Sequence, residues 1–127
     1  MHFHFEIEQD HLRAELFGRQ TVEETLQFVD ALLVEARKHA AMRILIWVRN
    51  SRPIFKVEPY KLSEQFKQLA SQKGVRVALL ADADEVRASH QYIEVLATQQ
   101  GASVRAFREE SRALHWLRSV SPAQSQE

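Results

Sequence analysis

Ile44-Leu45-Ile46-Trp47-Val48 is apolar without a break, between Arg43 on one side and Arg49-Asn50-Ser51 on the other. A strand with one wet face alternates polar and apolar side chains. An unbroken β-prone run of this length fits a central strand covered on both faces. The rest of the chain must then supply cover for two faces, and the order of its periodic segments shows how.

Ahead of the central run, Phe3, Phe5 and Ile7 alternate with His2, His4, Glu6 and Glu8, and Leu12, Ala14 and Leu16 alternate with His11, Arg13 and Glu15. Folding the two segments about Gln9-Asp10 sets Ile7 opposite Leu12, Phe5 opposite Ala14 and Phe3 opposite Leu16. The same register sets Glu6 opposite Arg13 and His4 opposite Glu15, pairs that contribute ~0.2–1 kcal/mol each. This predicts an antiparallel hairpin, with a loop longer than two residues because Gln-Asp is a poor tight turn. Gly18 then breaks the strand. Thr21-Val22-Glu23-Glu24 has the form of a capping box, opening a helix over about 21–39 with Val22, Leu26, Val29, Leu33 and Ala36 on one stripe and Phe28 and Leu32 widening it. That helix returns the chain so that the central strand runs parallel to the second.

Beyond Val48 the segment 49–60 carries two prolines among Ile54, Phe55, Val57 and Tyr60. Pro59 suits the first turn of a helix bearing Leu62, Phe66 and Leu69, which Gly74 ends. Val75 to Leu80 reads as a strand, followed by a helix that Asp82 caps with Glu85 three residues on, carrying Val86, Ile93, Leu96 and Ala97 inward and stopping at Gly101. A strand over 103–107 and a helix over 109–118, with Leu114 and Leu117 buried, complete the chain; 119–127 has no apolar period and reads as a frayed tail. The order is ββαβαβαβα: one α/β domain over 1–118, with a mixed, mostly parallel five-stranded sheet and four helices on its faces.

Composition narrows the function. Seventeen basic side chains balance seventeen acidic ones, which disfavours broad binding to nucleic acid or acidic membranes. The absence of cysteine removes disulfides, thiolate metal sites and a cysteine nucleophile. No apolar stretch approaches the roughly 20 residues that span a bilayer, and the N-terminus lacks the pattern of a signal peptide. A soluble, cytoplasmic protein is expected.

The hairpin, Gly18 to Thr21 opening the first helix, the strand Val75-Arg76-Val77-Ala78-Leu79-Leu80-Ala81-Asp82, and the ending Val104-Arg105-Ala106-Phe107 to Ala113-Leu114-His115-Trp116-Leu117 resemble the bacterial SpoIIAA-like proteins. These are small α/β domains of STAS type, also compared with CRAL-TRIO lipid-binding domains. The likeness spans about residues 3–118 and rests mostly on core and cap chemistry. It implies a STAS-type sheet and a regulatory role. STAS antagonists share an Asp-Ser-Ser/Thr-Gly turn whose serine is phosphorylated. The corresponding stretch here, Lys56-Val57-Glu58-Pro59-Tyr60-Lys61, has neither serine nor glycine; Ser51 lies earlier and Ser63 within the predicted helix. The resemblance does not extend to a phosphoserine switch.

Four constellations bear on chemistry. Asp82-Ala83-Asp84-Glu85-Val86 matches a short phosphatase pattern, which also needs magnesium, a downstream lysine and further aspartates. No lysine follows Lys73 and no aspartate follows Asp84, so helix capping is the plainer role for both. His2, His4 and Glu6 share a strand face opposite Glu15, a zinc-compatible set by ligand type that ordinary polar alternation also produces. Ser51, Ser63 and Ser89 can be combined with the histidines, but none stands in a nucleophile elbow. The loop Arg49-Asn50-Ser51-Arg52-Pro53-Ile54-Phe55-Lys56 follows the carboxyl end of the central strand, where open α/β sheets leave a ligand crevice. Arg49, Arg52 and Lys56 suit an anion, and Ile54 and Phe55 offer apolar contact; the alternative is a solvated loop with its aromatic tucked onto the sheet.

The expectation is therefore a non-catalytic binding module without a cofactor. It contacts an unknown protein partner or a small anionic ligand through Arg49, Ser51, Arg52, Phe55, Lys56, Tyr60 and Asp82. A homodimer would cover the apolar side chains of 54–60. A CRAL-TRIO-like carrier of lipid, which requires an internal cavity, is the second reading. A metal-dependent phosphohydrolase on Asp82 and Asp84 is the third.

Overall fold

A computed structural model describes residues 1–53, 64–65, 67–68 and 74–119. Five strands, β1 (His2–Ile7), β2 (Leu12–Phe17), β3 (Arg43–Arg49), β4 (Arg76–Ala81) and β5 (Ser103–Ala106), form one sheet in the order β1-β2-β3-β4-β5. The first pair is antiparallel and the other three are parallel. The described helices are α1 (Val22–Lys38), α2 (Asp84–Gln99) and α3 (Glu110–Arg118). A further helix expected over about 59–73 lies largely outside the described residues; Glu64, Gln65, Lys67 and Gln68 are helical. The tail beyond Ser119 is also outside them.

The hairpin has the register its two alternating segments dictate: Phe3 faces Leu16, His4 faces Glu15, Phe5 faces Ala14, Glu6 faces Arg13 and Ile7 faces Leu12. Its loop is Glu8–His11, closed by the Glu8 amide on the His11 carbonyl at 2.9 Å. Ile7 departs from the expected burial. It is 54% exposed, because β1 is an edge strand and α1 covers only its other end, where Phe28 meets Phe3 and Phe5.

The central run behaves as its continuity requires. Ile44, Ile46 and Val48 of β3 join Leu12, Ala14, Leu16, Val77, Leu79 and Ala81 in a large core under α1 and α2. Leu45 turns the other way, joining Ala78 and Leu80 beneath Ala113 and Leu117 of α3, with Trp47 packed alongside. A strand order that never reverses, joined by right-handed crossovers, places successive crossover helices on one face. α1 and α2 accordingly share one core, and the short α3 is the described cover of the opposite face. That face carries His2, His4, Glu6, Arg13, Glu15 and Phe17 on its β1–β2 half.

Helix ends follow local chemistry in one case and depart from it in another. Thr21 and Glu24 form the predicted capping box. The buried stripe of α1 is centred on Thr25, Phe28, Leu32 and Ala36, with Val22, Leu26 and Val29 at its margin. Asp82 does not cap α2: Ala83 holds the N-cap position and makes no side-chain bond, so both expected capping roles fail. In α3, Ala113 and Leu117 are buried, and Leu114 is only half-buried. No described helix is long and apolar enough to cross a membrane.

Candidate functional site

The carboxyl ends of β2, β3 and β4 are drawn together by a lattice of hydrogen bonds. Gly18, at φ +69°, turns the chain off β2 in a left-handed conformation that a side chain would strain, and its amide reaches the Arg49 carbonyl at 3.1 Å. The turn carries Arg19 inward. The Arg19 amide donates to Ser51 Oγ at 3.1 Å, Ser51 Oγ donates to the Arg49 carbonyl at 2.9 Å, and the Arg52 amide donates to the Arg19 carbonyl at 3.0 Å. Arg19 Nη2 in turn donates to the Arg52 carbonyl. Asn50, at φ +48°, presents its amide to Asp82 Oδ2 at 3.1 Å, linking the end of β3 to the end of β4.

This lattice gives two of the expected site residues, Ser51 and Asp82, a physical role. Ser51 uses its hydroxyl as both donor and acceptor to join two loops, and Asp82 anchors Asn50 instead of a helix. Arg49 lies over the Trp47 ring, 4.1 Å from its centroid, with its Nε 3.7 Å from Glu15, so its charge is already engaged. Arg52 presents an exposed side chain. Phe55, Lys56 and Tyr60, with Ile54 and Val57, lie outside the described residues. Asp84 pairs with Arg87 at 2.6 Å and Arg108 at 3.7 Å on the surface, which leaves it facing cations rather than Asp82. The order of the described strands contains no reversal, so among them there is no switch-point crevice of doubly wound sheets, the topological ground for expecting a ligand here.

Arg19 and His90 were not singled out in the sequence, and they are the most unusual groups at this end. Arg19 is 3% exposed and His90 2% exposed. Both line a cavity of about 70 Å³ between the inner sheet face and the two helices, otherwise walled by apolar side chains such as Leu16, Phe28, Ile46 and Leu79, with Thr25 the further polar residue. Among the described residues, Arg19 Nε and His90 Nδ1 are buried without a hydrogen-bond partner. Glu24 supports the Arg19 charge at a distance, but its carboxylate is bonded to the Gln20 amide at 2.6 Å and the Thr21 amide at 3.1 Å and lies 3.6 Å from the N-terminal ammonium. Burial lowers the Arg19 pKa to about 10, partly offset by Glu24. Burial, reinforced by the Arg19 charge, lowers that of His90 to about 3. The result is a buried cation beside a neutral imidazole. A signal for His90 was present, since it falls four residues after Val86 and three before Ile93 on the buried stripe of α2.

On the opposite face the hairpin brings His4, Glu6 and Glu15 together, their ligand atoms within 4.8 Å of one another. His4 Nε2 lies 3.4 Å from Glu6 and 3.5 Å from Glu15. His2 does not join them; it stacks on Phe17 at 4.7 Å. Arg13 and Arg49 approach the other oxygen of Glu15 at 4.0 and 3.7 Å, so the carboxylate a cation would need is already shared with two arginines. An open hollow of about 600 Å³ runs beside α3, but there Arg105 already lies against Phe107 and Trp116.

No model of a known protein family matches the chain, and no curated protein matches it.

Proposed function

We propose that this chain is a non-catalytic binding module of SpoIIAA-like, STAS-type character that holds an anionic group at the carboxyl edge of its sheet. That group belongs either to a small ligand or to a partner protein. The observation that carries the reading is Arg19, a buried guanidinium at that edge with no acidic partner in contact among the described residues. A buried charge is tolerated only when paired, so an unpaired one marks a place where an anion gains the most. Exposed Arg52, on the adjoining loop, adds a second cation, and Lys56 extends the basic character in sequence. Ser51 and Asp82 hold the loops in register for this task, and the resemblance suggests a bacterial cytoplasmic setting. The carrier reading has less support, since a cavity of about 70 Å³, roughly half the ~150 Å³ that admits benzene, has no room for a lipid chain. The phosphohydrolase reading loses ground because Asp82 and Asp84 face separate partners.

Titrating isotope-labelled protein with inorganic phosphate tests the proposal. Amide resonances of Gly18, Arg19 and Asn50 to Arg52 should shift together, and Arg49→Ala with Arg52→Ala should weaken the effect several-fold. Shifts confined to other parts of the chain would refute it.

A further inference from the structure

We infer that the cavity between the inner sheet face, α1 and α2 is a site for a short-chain carboxylate, with the carboxylate on Arg19 and His90 and the alkyl group among Leu16, Phe28, Ile46 and Leu79. This deepens the reading above and rests on it, because the same edge of the sheet is taken to bind anions.

Three properties of the cavity select the ligand. The first is charge. Arg19 Nε is a buried donor on a cation, and an unsatisfied charged donor is among the most expensive groups to leave in an interior. A monoanion cancels the charge and accepts the bond. The second is the number of donors. The two orphaned nitrogens, Arg19 Nε and His90 Nδ1, match the two oxygens of a carboxylate when the imidazole carries its proton on Nδ1. A phosphate presents more oxygens and charge than two such donors and an apolar wall can satisfy. His90 is held neutral, so it adds a hydrogen bond without a second charge. The third is size and polarity. About 70 Å³ is roughly half the ~150 Å³ that admits benzene, which leaves room for acetate or propionate and excludes a long acyl chain. Apart from Arg19, Thr25 and His90 the described lining is hydrocarbon, which favours a carboxylate bearing an alkyl group over an inorganic anion of the same charge.

The experiment is a titration of the full chain with propionate, read by intermolecular nuclear Overhauser contacts and by amide shifts, with inorganic phosphate as the parallel probe. Contacts from the propionate methyl protons to Leu16, Phe28 and Leu79, with Arg19 and His90 amides shifting, are the expected result. Arg19→Met should weaken propionate binding by about tenfold or more. Should that variant fail to fold, Val77→Ile keeps a β-branched residue in β4 and fills part of the cavity; it should weaken propionate binding while leaving phosphate shifts at Arg52 unchanged. Propionate that shifts only Asn50 to Arg52, with no contact to the interior, overturns the inference and leaves the edge-binding reading standing. Water alone on Arg19 and His90 at saturating propionate also overturns it. Absence of shifts with both anions removes the two together.

Discussion

His90 stands on α2 between Val86 and Ile93, in the same buried stripe as its apolar neighbours. Burial, with the Arg19 charge added, takes its pKa from 6.5 to about 3. An unfolded chain therefore takes up a proton at this position below about pH 6.5 that the folded chain refuses until about pH 3. Over that window the unfolded state binds more protons, so stability falls as pH falls, by on the order of 5 kcal/mol across the whole interval. Asp10 is held down to about 2, chiefly by the Arg118 hydrogen bond. For Glu24 the Gln20 amide leads, and for Glu110 burial pushes upward but is outweighed by the bonds from Trp47 and Arg13. These depressed carboxylates act in the same direction, but only from their unfolded values of 4.5 or below. The interval from about pH 6.5 to 5.5 thus separates His90 from them. Urea midpoints should decline through it in the wild type and stay nearly level in His90→Leu. A level wild-type curve would show that the imidazole is solvated.

At the scale of elements, the helices are held by different means. α1 carries its own start signal in Thr21 and Glu24, with acidic residues in its first turn and basic ones in its last. α3, nine residues long, has no side-chain cap at its N-terminus and is gripped at its other end by arginines from the sheet. Arg43 Nε donates to the Leu117 carbonyl at 2.8 Å, and Arg76 Nη1 to the Trp116 and Ser119 carbonyls at 2.7 and 2.6 Å. The Trp116 carbonyl also accepts the Ser119 amide at 3.2 Å, and a cation beside these last carbonyls meets the negative end of the helix dipole. Replacing both arginines by methionine should remove about 1–2 kcal/mol from α3 alone. Amide exchange across Leu114 to Arg118 should then quicken by about tenfold while α1 is unchanged. Equal acceleration in α1 would mean that α3 does not open independently.

The whole molecule has two unequal cores divided by the sheet. The larger lies under α1 and α2; the smaller is Leu45, Ala78, Leu80, Ala113 and Leu117, edged by Trp47, Phe107, Leu114 and Trp116. Trp47 Nε1 and Arg13 both donate to Glu110, at 2.5 and 2.9 Å, so the start of α3 is tied to β2 and β3 by polar as well as apolar contact. Leu45 is fully buried at the centre of the smaller core, on the strand that also supplies three residues to the larger one. Leu45→Ala should cost about 2–5 kcal/mol in denaturant unfolding, with one transition and an unchanged slope. A loss below about 1 kcal/mol would mean that α3 collapses onto the gap and that its docking is loose.

Sequence alone determined the elements whose information is local and periodic. The alternation of Phe3, Phe5, Leu12, Ala14 and Leu16 was enough for the hairpin register, because a slip of one residue would invert every side chain. The unbroken run from Ile44 to Val48 was enough for a strand covered on both faces, and Thr21 with Glu24 for the start of α1. The straight strand order, with its crossover helices on one face, came from the tertiary structure, since periodicity says which face is apolar but not which neighbour covers it. So did the diversion of Asp82 from a cap to the Asn50 amide, 32 residues away, and of Arg49 onto Trp47. Arg19 illustrates the reason most directly. A basic residue after a glycine looks solvated in sequence, and only the left-handed turn at Gly18, closed against Arg49, Ser51 and Arg52, carries its charge into an apolar cavity.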